Sequence, residues 1–331
     1  MDKLEYDSPF TKTKRNEKFL VFKSEKFALF QSDIQAKLMY ENPSDVLIDG
    51  TFYASPKGVY QIIITRITLE EHKRYFTTSY ILSMDKKEKT YKEILNKLNL
   101  NIKHYQLTKN KKYVYKPQFI HCDMESGLIN ALKDTWPYAE IKICYFHWHQ
   151  AMEKQRKKFI NYLNDKIENQ ELFKSLLTLP LIPSDIVENV FNELRNNNQD
   201  INLEPLFEYY DDMFIKKFTP DMCNYYNKET NRTNNACESY NKKLNSYFNS
   251  KPTIIKLINI LTIEEESIFK EYSNIINEGL MSKRRRFGPS DYISCLPYFI
   301  EKEKDLKGSN ASIRKKRLEI WLEAARRLPL N

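Results

Sequence analysis

Three acidic residues have the type and placement to do chemistry. Asp49 closes the apolar run Val46-Leu47-Ile48, Asp123 closes Phe119-Ile120-His121-Cys122, and Glu238 falls in the first turn of a helix predicted to begin near Asn235. Carboxylates suit hard divalent cations such as Mg²⁺ or Mn²⁺, which prefer oxygen ligands. A pair of such ions can clamp the attacking and leaving oxygens of an in-line phosphodiester displacement, with no covalent enzyme intermediate. Each residue also has a plainer reading. Asp49-Gly50 is a common hairpin turn, Asp123 fits a strand-end carboxylate, and Asn235-x-x-Glu238 fits a capping box.

The elements that must position these residues follow an α/β order. Val46–Ile48, Val59–Ile67 and Tyr75–Met84 carry the β-branched and aromatic character of strands, with Lys57-Gly58 able to turn a hairpin between the first two. Tyr91, Ile94, Leu95 and Leu98 then fall at helical spacing. Gln118–Cys122 reads as a strand, Ser126 as the N-cap of a helix that ends before Pro137, and Ile141–Tyr145 as a further strand. A basic helix is predicted from about His149 to Asn164. Three short antiparallel strands followed by alternating helix and strand is the order of the ribonuclease H-like fold, although other α+β folds share it. In that fold the first and fourth of these strands are neighbours, so Asp49 and Asp123 would project side by side.

The expected organisation is a loose segment at 1–17, a first part of the core at 18–164, a helical insertion at 165–230, the rest of the catalytic core at 231–280, and a basic helical tail at 281–331. The insertion stands between the fifth strand and the helix carrying the third acidic residue. The tail holds Lys283-Arg284-Arg285-Arg286, Arg314-Lys315-Lys316-Arg317 and a final amphipathic helix from Ala311 to Leu328.

The wording around the carboxylates resembles one family. Asp49-Gly50-Thr51-Phe52 with Ala54 to Gln61 resembles the opening catalytic block of the Mutator-like (MULE) transposases. Asp123-Met124-Glu125 with Ala131-Leu132-Lys133 and Trp136-Pro137 resembles the second block, and Ile143 to Ala151 resembles the Cys-x-x-His block after it. Arg232-Thr233-Asn234-Asn235 with Glu238 and Leu244-Asn245 resembles the last. Four ordered blocks carry more weight than any one, and the resemblance runs from about Glu17 to about residue 270. It implies a ribonuclease H-like core with a helical insertion, a catalytic metal-binding triad of Asp49, Asp123 and Glu238, and two Mg²⁺ or Mn²⁺ ions. It also implies cutting and joining of double-stranded DNA at transposon ends and target. A synapsed homo-oligomer is the family expectation. A catalytically idle DNA-binding derivative is the alternative. No Cys/His spacing of the zinc-binding recognition module that many members carry upstream occurs ahead of Asp49.

Other candidates are less specific. Cys144-x-x-His147 is half of a zinc site, with Cys122, His149 or Cys237 as further ligands, and zinc is the second metal considered; the plainer reading is a buried Cys and a satisfied His. Lys154, Arg156, Lys157 and Lys158, then Lys242 and Lys243, then Arg284 and Arg285, are candidate DNA-phosphate contacts, or else solvated helix faces. Tyr225 and Tyr226 could stack on an unpaired base, with core packing the better fit.

Composition narrows the class. The chain has 331 residues, 41% hydrophobic and 13% aromatic, enough for a sizeable core. Six glycines argue against a glycine-rich nucleotide site, and a net charge of +9 suits a polyanionic partner. Five cysteines in a chain this long argue against a disulfide framework. No apolar run approaches the roughly 18 residues of a membrane helix and the N-terminus is no secretory signal. The expectation is a soluble intracellular protein without a membrane partner, nuclear in a eukaryotic host.

Overall fold

The computed structural model describes residues 8–72, 74–226 and 235–278. They fall into two compact units, 8–141 with 235–278, and 142–226.

The first unit is built on a mixed sheet. Its strands are β1 (Leu20–Lys23), β2 (Phe27–Phe30), β3 (Asp45–Thr51), β4 (Gln61–Leu69), β5 (Arg74–Ser83), β6 (Phe119–Cys122) and β7 (Glu140–Ile143). The spatial order is β1-β2-β5-β4-β3-β6-β7. The pairs β1–β2, β2–β5, β5–β4 and β4–β3 are antiparallel, and β3–β6 is parallel. This is a mixed α/β architecture consistent with a ribonuclease H-like core. The expected neighbours are adjacent: the strand ending near Asp49 lies beside the strand leading to Asp123. The chain passes into the second unit within β7.

Helices cover both faces of the sheet. α1 (Asp33–Glu41), α2 (Glu88–Thr108) and α3 (Ser126–Thr135) are grouped, with α2 packed beside both of the others. α1 starts at a capping box in which Ser32 and Gln35 satisfy each other's backbone amides. α9 (Asn235–Ser246) and α10 (Ile254–Glu278) belong to the same unit. Tyr240, Leu244 and Phe248 from the α9 region join Leu257, Ile258 and Leu261 of α10. Together they cover Ile62, Ile64, Tyr80 and Leu82 of the sheet in one buried cluster. Asp49 pairs with Ile64, which pairs with Tyr80. Cross-strand partners share a face, so Asp49 points to the α9 side.

Sequence reasoning missed β1, β2 and α1. The two strands are four residues each, too short for periodicity to separate them from loop. Within the stretch expected to be loose, residues 8–17 are anchored. Thr11 and Thr13 are buried, and Arg15 pairs with Glu265 at 2.7 Å and Glu266 at 2.8 Å on α10.

The second unit is helical. It holds α4 (Tyr145–Lys158), α5 (Ile160–Asp165), α6 (Ile167–Thr178), α7 (Ser184–Asn196) and α8 (Glu204–Tyr210), then a π-helical turn at Asp211–Lys217. Aromatics form its centre: Trp148 meets Phe214 at 5.7 Å, and Phe191 stacks on Tyr210 at 5.2 Å. The basic helix begins at Tyr145 rather than His149, because Cys144 in extended conformation ends the strand and caps it. The tail clusters, the final helix and Cys295 lie outside the described residues.

Candidate metal-binding carboxylate site

Asp49 lies inside β3, opposite Ile64. It is buried, with 6% exposure. The turn reading of Asp49-Gly50 fails, because Gly50 continues the ladder opposite Ile63. The hairpin turns at Lys57-Gly58 instead, where Gly58 takes φ +86°. Space at Gly50 is tight: a Cβ there would stand 2.7 Å from Gln61 Oε1, and the Gln61 side chain would have to shift.

Asp123 follows β6 directly. Asp45 pairs with Phe119 and Leu47 with His121 across the parallel ladder. Continuing that register two residues brings Asp49 and Asp123 level at the carboxyl ends of neighbouring strands, on one face of the sheet. Asp123 Oδ1 accepts a hydrogen bond from the Met124 amide at 2.6 Å. Below them, buried His121 Nε2 meets partly buried Asp45 Oδ1 at 2.6 Å, a pair that ties β6 to β3.

Glu238 is carried to this site by α9. Asn241, one turn further along the same helical face, donates from Nδ2 to Asp49 Oδ2 at 2.7 Å. Arg66 holds the start of the helix: its buried guanidinium donates to the carbonyls of Ala236 and Tyr75 and lies 4.8 Å over the Tyr240 ring. Glu238 is half-buried, and burial pushes its carboxyl up to about 7. Glu238 Oε1 and Asn241 Oδ1 are both buried without a hydrogen-bond partner. Buried polar oxygens left unmatched are uncommon and call for a partner. The Asn235 side chain, half of the expected capping box, lies outside the described residues.

A second set of buried groups supports the loop at Asp123. Gln61 Nε2 donates to Tyr91 Oη at 2.7 Å, and Tyr91 Oη donates to Glu125 Oε2 at 3.0 Å. Burial raises the Glu125 carboxyl, with the Tyr91 hydroxyl opposing the shift. The network runs from the strand facing Gly50 to the residue two beyond Asp123.

The donor chemistry fits a hard cation: three carboxylates and an amide oxygen, with Glu238 Oε1 and Asn241 Oδ1 the two buried oxygens that lack a partner. Among the described residues, no group of three or more His, Cys, Asp or Glu is gathered closely enough to hold a metal ion. That applies to the acidic set and to any four-ligand zinc site around Cys144 and His147. Among the described residues, Cys122, Cys144, Cys223 and Cys237 are buried and form no disulfide.

The cationic candidates fare unequally. Lys154, Lys157, Lys158 and Lys242 are exposed. Arg156 is paired with Glu153 at 2.8 Å, and Lys243 with Glu264 at 2.8 Å. Arg284 and Arg285 lie outside the described residues. Tyr225 is core, buried against Tyr145 with its hydroxyl donating to the Ile143 carbonyl.

Residues 46–151 match the family model of the MULE transposase domain. Over those residues the chain is similar to a MULE transposase domain. The matched segment includes Asp49, Asp123, Cys144 and His147, and Glu238 falls beyond it. A comparison with curated proteins finds no match. A MULE transposase domain implies a transposase-related function. No helix among the described residues is long and apolar enough to cross a membrane.

Sequence reasoning did not single out Asn241, Arg66 or the Gln61–Tyr91–Glu125 network. Asn241 was findable: it stands three residues after Glu238, one helical turn on the same face. Arg66 and Tyr91 left no signal, since their partners are distant in sequence.

Proposed function

We propose that this chain is the core of a DDE-type DNA transposase that cleaves phosphodiester bonds at transposon ends and joins the freed ends to target DNA. Asp49, Asp123 and Glu238 are the metal-holding carboxylates. The observation that carries the reading is the level register of Asp49 and Asp123 on adjacent parallel strands, with α9 tied to Asp49 through Asn241.

Bound Mg²⁺ or Mn²⁺ supplies charge stabilisation for the attacking and leaving oxygens of the phosphodiester. The chain's own residues prepare the site. Asn241 donates to Asp49 Oδ2 and so orients that carboxylate. Burial around Glu238 favours its protonated form, and once ionised it would be a carboxylate ligand for such a cation. Arg66 holds the α9 start two residues before Glu238. The Gln61–Tyr91–Glu125 network steadies the loop that presents Asp123. Exposed lysines such as Lys242 offer salt-dependent phosphate contacts.

A catalytically idle DNA-binding derivative is the second reading, favoured by the lack of a gathered three-ligand group among the described residues. Strand cleavage and strand transfer on DNA from the element's ends, in Mg²⁺ or Mn²⁺, separates the two. Metal-dependent cutting that disappears in Asp123→Asn supports the transposase. Equal DNA binding by both proteins with no cutting by either supports the idle derivative.

A further inference from the structure

The loop between β3 and β4 reverses the usual placement of large and small side chains. Ala54, Ser55, Pro56 and Val59 are buried, whereas Phe52, Tyr53 and Tyr60 are 54%, 50% and 44% exposed. Single exposed apolar residues are ordinary; three large aromatics in nine residues form a patch.

The loop is pinned. Ser55 Oγ donates to the Thr51 carbonyl at 3.1 Å, the Val59 amide to the Pro56 carbonyl at 3.0 Å, and the Tyr60 amide to the Ser83 carbonyl at 2.9 Å. The Tyr53 hydroxyl reaches the Phe248 carbonyl at 3.4 Å. Phe52 and Tyr60 form an edge-to-face pair, 5.7 Å apart at 87°, a geometry that leaves ring surface uncovered. The patch begins three residues after Asp49, the carboxylate that the proposed function places at the cut strand, and Lys57 is exposed in the same loop.

We propose that Phe52 and Tyr60 form a stacking platform for an unpaired nucleobase of the DNA strand beside the scissile phosphate, with Lys57 meeting a neighbouring phosphate. This rests on the transposase reading of the carboxylates. Nucleobases stack on aromatic rings whatever their identity, and a basic side chain holds the backbone. A platform of this kind favours DNA that is frayed or flapped at the cut site over intact duplex.

The test uses the full chain in Ca²⁺, so that binding is read without cutting. The probes are a blunt duplex and the same duplex with a short single-stranded flap carrying 2-aminopurine. The platform predicts preference for the flap and quenching of its 2-aminopurine. Phe52→Ala and Tyr60→Ala should lose the quenching and weaken flap binding about 10- to 100-fold, with blunt-duplex binding and melting temperature unchanged. Phe52→Trp should retain both properties. No flap preference in the native chain overturns the proposal, as do alanine variants that quench like the native chain. Loss accompanied by a change in oligomeric state also overturns it, making the patch an interface between copies. Failure of the transposase reading is separately visible, as quenching without metal-dependent cutting in Mg²⁺.

Discussion

Replacing Gly50 by alanine tests whether the site depends on close packing between β3 and β4. The added methyl would sit 2.7 Å from Gln61 Oε1 and 3.7 Å from Gln61 Cδ. Gln61 is only 2% exposed, so its amide has no route to water. Any shift disturbs its 2.7 Å hydrogen bond to Tyr91 and, through it, the 3.0 Å bond to Glu125. Overpacking of a buried site costs about 1–3 kcal/mol, and a disrupted buried hydrogen bond about 1 kcal/mol more. Gly50→Ala should therefore lose about 2–4 kcal/mol, read from urea unfolding. Gln61→Ala removes the clashing amide, so adding Gly50→Ala to it should cost much less than Gly50→Ala alone. The double-mutant cycle should show a coupling above about 1 kcal/mol. A Gly50→Ala variant within about 0.5 kcal/mol of the native chain, or full additivity with Gln61→Ala, would refute the packing argument.

Three further outcomes are expected. Arg15→Ala leaves Glu265, whose side chain has 0% exposure, without its cation; removing one partner of a buried pair costs about 3–5 kcal/mol, and adding Glu265→Gln should recover part of it in thermal unfolding. Arg66→Met releases the Ala236 carbonyl and with it the start of α9, so cleavage should fall further than Asn241→Ala plus the stability loss explains, measured by single-turnover kinetics at matched folded fractions. The metal-free chain should show a pH signature. Glu238 is pushed up to about 7 from 4.5 in the folded state, so the folded form holds the extra proton between those values and stability falls as pH rises through that window. Glu238→Gln should flatten the slope in urea midpoints taken from pH 4.5 to 7.5.

Much of this architecture was legible because its signals are local. β4 and β5 announce themselves by long β-branched and aromatic runs, and α9 and α10 by helical spacing. The adjacency of β3 and β6 came from the order of elements alone. What stayed hidden is carried by contacts between distant residues. Asp49-Gly50 reads as a turn until Gln61 is seen pressing on the glycine. Arg15 reads as part of a loose terminus until Glu265 is found buried beside it. The hairpin of β1 and β2 has too few residues to show a period, and α1 rests on a capping box at Ser32 and Gln35 rather than on a long amphipathic pattern. The aromatic loop resembles a family block in sequence, but exposure is a tertiary property, and the residue types alone place Phe52 and Tyr60 inside.

The central claim is that Asp49, Asp123 and Glu238 act as one metal-holding site. The most direct measurement is a Mn²⁺ titration followed by electron paramagnetic resonance, with end-containing DNA present, for the native chain and for Asp49→Asn, Asp123→Asn and Glu238→Gln. The account predicts specific Mn²⁺ binding that each single substitution weakens at least about ten-fold, with double substitutions adding little, as expected of ligands in one shell. Mn²⁺ binding that is the same in all four proteins would contradict it.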